Sequence, residues 1–228
     1  MRPRSLALAA ALALGGLSCA EGKMLPAASA HVIPGAPETA TAELEGVRVS
    51  ADGDDWAASP ADLSERLTPV KVRILNHSGS PVLIAYRQFT LIGAHGRAYH
   101  AIPPVPLEHA EGSGAVAAIE PVYAASNFYV APRFHDVYPT LAAWTQPLDR
   151  QGDPSAERYQ LWGHDLPTRA IRRMALPEGV LADGGEISGF LYFENATRRE
   201  RRLTLRADLD GPQDGERVAK IELPFQVQ

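Results

Sequence analysis

The chain of 228 residues holds a single cysteine, Cys19. No disulfide can form within one chain, and a metal site built on paired thiolates is excluded. Apolar runs are short: the longest ends well before the roughly 20 residues that a membrane-spanning helix needs. Positive charge is not in excess, since 22 Lys and Arg stand against 27 Asp and Glu for a formal net charge of -5. That balance argues against nucleic acid as the main partner, because phosphate binding runs on a net basic footprint. The sequence also has no Gly-x-Ser-x-Gly, no His-Glu-x-x-His and no cysteine besides Cys19 to pair with a histidine. Nothing here selects an enzyme, and no cofactor is expected.

What is present begins with an export leader. Arg2 and Arg4 are followed by an unbroken run of Leu and Ala over residues 6–14, closed by Gly15 and Gly16. The run suits a cleaved signal peptide, expected over residues 1–18. Glu21 and Lys23 come too soon after it for a retained membrane span.

The stretch Leu14-Gly15-Gly16-Leu17-Ser18-Cys19 resembles the lipobox of bacterial lipoproteins, with Gly16 where that family usually has Leu. The resemblance implies a diacylglycerol on Cys19, a mature chain starting there, and a partner in the membrane that the lipid enters. Ala20 in the next position implies sorting to the outer membrane rather than retention at the inner one. Ser18-Cys19-Ala20 also fits ordinary cleavage after Ala20, so two processing routes stand open.

Residues 20–42 are rich in Ala, Pro, Gly, Thr and Ser and show no apolar period, which predicts a flexible tether over 19–43, with His31 and Met24 incidental. After it the period is two. Val47 and Val49 flank Arg48, and Val70, Val72 and Ile74 alternate with Lys71 and Arg73, as in strands with one wet face. Residues 76–81 read as a hairpin turn into a strand over 82–92, then residues 93–96 turn the chain into a strand over 97–102. Later strands carry Ile187 to Phe193, then Leu203, Leu205, Ala207 and Leu209, then Ile221, Leu223, Phe225 and Val227. Seven or eight short strands joined by Gly, Pro and Asp turns predict a mainly β, antiparallel β-sandwich over residues 44–228. The turn after residues 70–75 and the strand Gly-Glu-Ile-Ser-Gly-Phe-Leu-Tyr-Phe at 185–193 resemble immunoglobulin-like domains of unknown function on bacterial surface lipoproteins. The likeness covers residues 44–102 and 180–228 and is one of architecture, because the Cys-Trp-Cys framework is missing. It implies a structural or interaction role at the cell envelope and leaves the partner unspecified.

A long insertion over residues 103–178 interrupts the sandwich, with prolines throughout and short helices expected over 138–144 and 168–175. Half of the aromatic residues fall in it, from Tyr123 to Trp162. Two uses are open: a binding face in which Tyr138, Trp144 and Trp162 stack on a glycan or grip a peptide, or a small second core. His135-Asp136 and His164-Asp165 are weak metal-ligand candidates that would make the chain a metal-dependent enzyme, for which a histidine bonded locally to its neighbour is the plainer account. Asp52-Gly53-Asp54-Asp55 is either a calcium loop or a solvated turn, and Arg198, Arg199, Arg201 and Arg202 around Glu200 are either a solubilising edge or a contact for phosphates or an acidic partner.

Overall fold

A computed structural model describes residues 22–104, 125–135, 137–144, 158–163 and 165–228. Its strands are β1 (Met24–Pro26), β2 (His31–Ile33), β3 (Ala36–Leu44), β4 (Val47–Asp52), β5 (Leu67–Asn76), β6 (Val82–Ile84), β7 (Phe89–Gly93), β8 (Ala98–His100), β9 (Ala125–Val130), β10 (Gly179–Glu194), β11 (Arg202–Asp210) and β12 (Arg217–Val227). Short helices are α1 (Leu63–Arg66), α2 (Pro132–His135) and α3 (Arg169–Met174). One sheet has the order β1-β12-β11-β7-β8; the other runs β2-β3-β4-β5-β10, with β6 and β9 also paired to β10. All of these strand pairs are antiparallel. Among the described residues no helix is long and apolar enough to cross a membrane.

The period-two residues meet as the pattern requires. Leu203, Leu205, Ala207 and Leu209 of β11 and Ile221, Leu223, Phe225 and Val227 of β12 share one buried cluster with Val47, Val49, Val70, Val72 and Ile74 from the second sheet. At about 25 cal/mol per Å² of apolar surface buried, such a core can hold a domain of this size together without a disulfide.

Four expectations need correction. The segment read as a tether is folded from Met24 onward: β1 pairs with β12, and β2 and β3 extend the second sheet. Its apolar period was hidden because alanine supplies the inward phase. Ala40 is fully buried, while Thr39, Thr41 and Glu43 alternate with Ala40 and Ala42. Glu45 and Gly46, both at positive φ, make the tight turn between β3 and β4, as a twisted two-residue hairpin demands.

Residues 76–81 do not form a hairpin. Gly179 pairs with both Ile84 and Val130, and Ile187 pairs with both Ile74 and Ala125, so β9 occupies one edge of β10 and both β5 and β6 lie along the other. The chain makes an excursion and resumes along the same edge. Buried Asn76 holds it there, donating from Nδ2 to Ser80 O at 2.7 Å and Leu181 O at 3.0 Å while Oδ1 accepts from Ser78 N at 3.1 Å. The run 82–92 is likewise split between β6 in one sheet and β7 in the other, and Gln88 Oε1 accepts from Ala85 N at 2.8 Å in the crossing.

The helix expected over 168–175 is α3, capped by Thr168, whose Oγ1 accepts from Ile171 N at 3.3 Å. No helix forms at 138–144. Tyr138 precedes Pro139, which biases it away from helical backbone, and the chain instead runs beside β9 with Trp144 N donating to Val130 O.

Candidate functional site

The three rings expected to share a ligand face are separated. Tyr138 is fully buried in the main core, stacked on Phe134 with its hydroxyl donating to Arg172 O. Trp162 is 2% exposed in a second cluster on the outer face of β10, against Tyr192 at 5.2 Å, with Nε1 donating to Pro103 O at 2.7 Å. Trp144 packs on a third cluster around Leu83, Ala85 and Val180. The second cluster forms because β10 is apolar on both faces. Phe190 and Tyr192 point away from the main core, and Trp56, Leu63, Ile171 and Trp162 cover them. The polar tips of the cluster are satisfied by backbone carbonyls, with Trp56 Nε1 on Pro60 O and Tyr192 Oη on Ile171 O. Tyr138 and Trp162 are core, and Trp144 is a partly buried ring packed on the third cluster.

The weak metal candidates do not converge either. Asp165 is exposed and accepts two bonds from Arg66, at 2.7 and 2.9 Å. His135 ends α2, and Asp136, His164 and Cys19 lie outside the described residues. Among the described residues no group of three His, Cys, Asp or Glu could hold a metal ion. The acidic loop is neutralised by lysines: Lys23 Nζ meets Asp54 at 2.7 Å and Lys71 Nζ meets Asp55 at 2.5 Å. Burial holds the Asp52 carboxyl above its ordinary range, against a bond from Asp54 N that pulls the other way.

A concave site does exist, and six of its ten lining residues fall within residues 19–43. An open groove of about 560 Å³ crosses the outer face of the second sheet. Strand register puts its residues in rows. His31 pairs with Thr41, Thr41 with Ser50, Ser50 with Arg73 and Arg73 with Ser188, so one polar row spans five strands. A second row holds Glu43, Arg48, Leu75 and Glu186. Ile33 and Pro34 wall the edge where β2 turns into β3.

Each arginine in the groove is oriented by one carboxylate. Arg48 Nη2 lies 2.6 Å from Glu43, and Arg73 Nε donates to Glu186 at 2.7 Å, a bond that raises the Arg73 pKa above its ordinary value. The Arg73 side chain stays 54% exposed, and its hydrogen bond to Glu186 runs through Nε. Thr41 Oγ1 and Ser50 Oγ bond to each other at 3.0 Å, and among the described residues no base bonds to either. The arrangement offers guanidinium donors, carboxylate acceptors and hydroxyls beside a short apolar wall.

The period-two signal of Thr39, Thr41 and Glu43 could have revealed this face in the sequence, had alanine been counted as an inward residue. No family model matches the chain, and neither a curated protein nor a solved structure shows significant similarity to it.

Proposed function

We propose that the chain is a lipid-anchored cell-envelope protein, held outside the cytoplasm through Cys19, with a non-catalytic interaction role. The observation that carries this reading is the leader: a basic start, a short Leu and Ala run, and the chain's one cysteine at the place where lipid processing would use it. The position of the fold supports it. β1 begins five residues after Cys19, at most about 18 Å of extended chain, so an acylated Cys19 would hold the domain against the bilayer. Ala20 favours the outer membrane on the lipoprotein resemblance. The immunoglobulin-like assignment of the sandwich rests on its two packed antiparallel sheets alone. Partition between detergent and aqueous phases tests the anchor: wild type enters the detergent phase and Cys19→Ala the aqueous one, whereas an aqueous wild type ends the reading.

The groove supports a reading of that role as the binding of an envelope glycan or peptide that carries carboxylates. Arg48 and Arg73 present guanidiniums along a row of hydroxyls, at a spacing fixed by the strands. Soluble peptidoglycan fragments titrated into the protein should bind saturably, and Arg73→Ala should weaken that binding about tenfold or more, as loss of a charged hydrogen bond does. No binding, or equal binding by the variant, removes the groove from the account.

A further inference from the structure

We propose that the turn between β10 and β11 is a membrane-docking surface that rests on anionic lipid headgroups, an inference that builds on the anchoring reading above. Residues 195–202 read Asn-Ala-Thr-Arg-Arg-Glu-Arg-Arg. Arg199, Arg201 and Arg202 are exposed and enter no ion pair among the described residues; Arg198 reaches Glu65 at 3.7 Å. Glu200 turns inward, accepting from Tyr99 Oη at 3.1 Å, so it does not cover the arginines from outside. Exposed Arg97, on the turn between β7 and β8, lies at the same end of the sheet, because Leu203 pairs with Gly93 and Gly93 N donates to Arg97 O.

The turn is built as a rigid platform. Thr68 Oγ1 accepts from Ala196 N at 2.9 Å, Asn195 Nδ2 donates to Glu65 O at 2.6 Å, and Arg199 N and Glu200 N both donate to Ala196 O. Ala196 itself is fully buried. Charged side chains on a fixed frame lose less freedom on docking than charges on a loose loop.

What places a membrane against this turn is the point where the described chain begins. A Cβ on Gly22 would meet Thr197 O at 2.9 Å, so Gly22 lies directly on the arginine turn. Met24 pairs with Val227, and Val227 N donates to Arg201 O. Cys19 is three residues before Gly22, at most about 11 Å of extended chain. An acyl group on Cys19 therefore brings the bilayer to within about one Debye length of these arginines, where an anionic surface attracts basic side chains strongly. The far end of the same sheet has the opposite sign at its tip, with Asp214 and Glu216 exposed on the turn between β11 and β12. Anchor and charge thus orient the domain the same way.

The test uses the full chain extracted from membranes and reconstituted into vesicles of phosphatidylcholine, with or without phosphatidylglycerol. A dye is placed by Ala94→Cys at the proposed docking end or by Gln213→Cys at the far end, and a headgroup-level quencher is added. Quenching at position 94 in the anionic vesicles, absent at 213, absent in neutral lipid and lost in high salt or in R199Q/R201Q/R202Q, is the expected result. Equal quenching in both lipids, or undiminished quenching in an R199Q/R201Q/R202Q protein that keeps its melting temperature, overturns it. Intact mass separates the two readings, since only an acylated Cys19 adds a diacylglyceryl or triacyl increment. If that increment is missing, the anchor reading fails alone. Sedimentation with the same vesicles then decides the docking surface: about a hundredfold weaker binding of the triple variant to anionic lipid supports it, and equal binding overturns it.

Discussion

Trp162 is the residue at which binding and core roles part most clearly. Its ring fills the cluster on the outer face of β10 and its Nε1 is already bonded to Pro103 O. Trp162→Ala should therefore cost about 3–5 kcal/mol of stability, the range for emptying a buried aromatic site, read as a lower urea midpoint. Binding of envelope fragments by the folded fraction should be unchanged. Asp52 makes a prediction of opposite sign. Burial raises its folded-state pKa above the ordinary 3.8, so the folded state binds the proton more tightly than the unfolded one. Stability contributed by that proton is present at low pH and is lost as pH rises from the unfolded value through the folded one. Above both, the ionised carboxylate is a standing cost. Asp52→Asn keeps an oxygen for Asp54 N and should raise the melting temperature at neutral pH, with the gain shrinking as pH falls through the carboxylate range.

At the scale of elements, the strands with Val, Ile and Leu on their inward phase were legible in the sequence. β4, β5, β11 and β12 lie where the alternation puts them, and α3 begins at its Thr168 cap. β3 was not legible because alanine and threonine carry its alternation and composition alone resembles a linker. The groove was hidden with it, since β2 and β3 supply its edge. The excursion at residues 77–81 has the residues of a hairpin turn, and only the pairing partner decides what a turn connects. Here β10 and Asn76 decide it. Asn76→Ala would leave Leu181 O without that donor in a buried place and should destabilise the fold by about 1–3 kcal/mol. Native-state hydrogen exchange should show the loss first in β6, which depends on the excursion for its alignment. Gly46→Ala places a Cβ about 2.6 Å from His77 O at a positive φ, and should cost at least about 1–2 kcal/mol in the same unfolding assay.

For the molecule as a whole, the chain entry at Gly22, the C-terminal strand and the arginine turn gather at one end. Met24 also bridges to Gly53, so the Asp52 end of β4 belongs to that end, and the groove rows at Ser50 and Arg48 lie further along the sheet. A domain anchored through Cys19 would then present its groove on a flank reaching away from the bilayer. The orientation of the domain on the bilayer depends on the lipid. The intact mass of the membrane-extracted protein tests it most directly: the account predicts a chain starting at Cys19 with a diacylglyceryl or triacyl increment, absent in Cys19→Ala. An unmodified chain starting at Glu21 and recovered from the soluble fraction would contradict it.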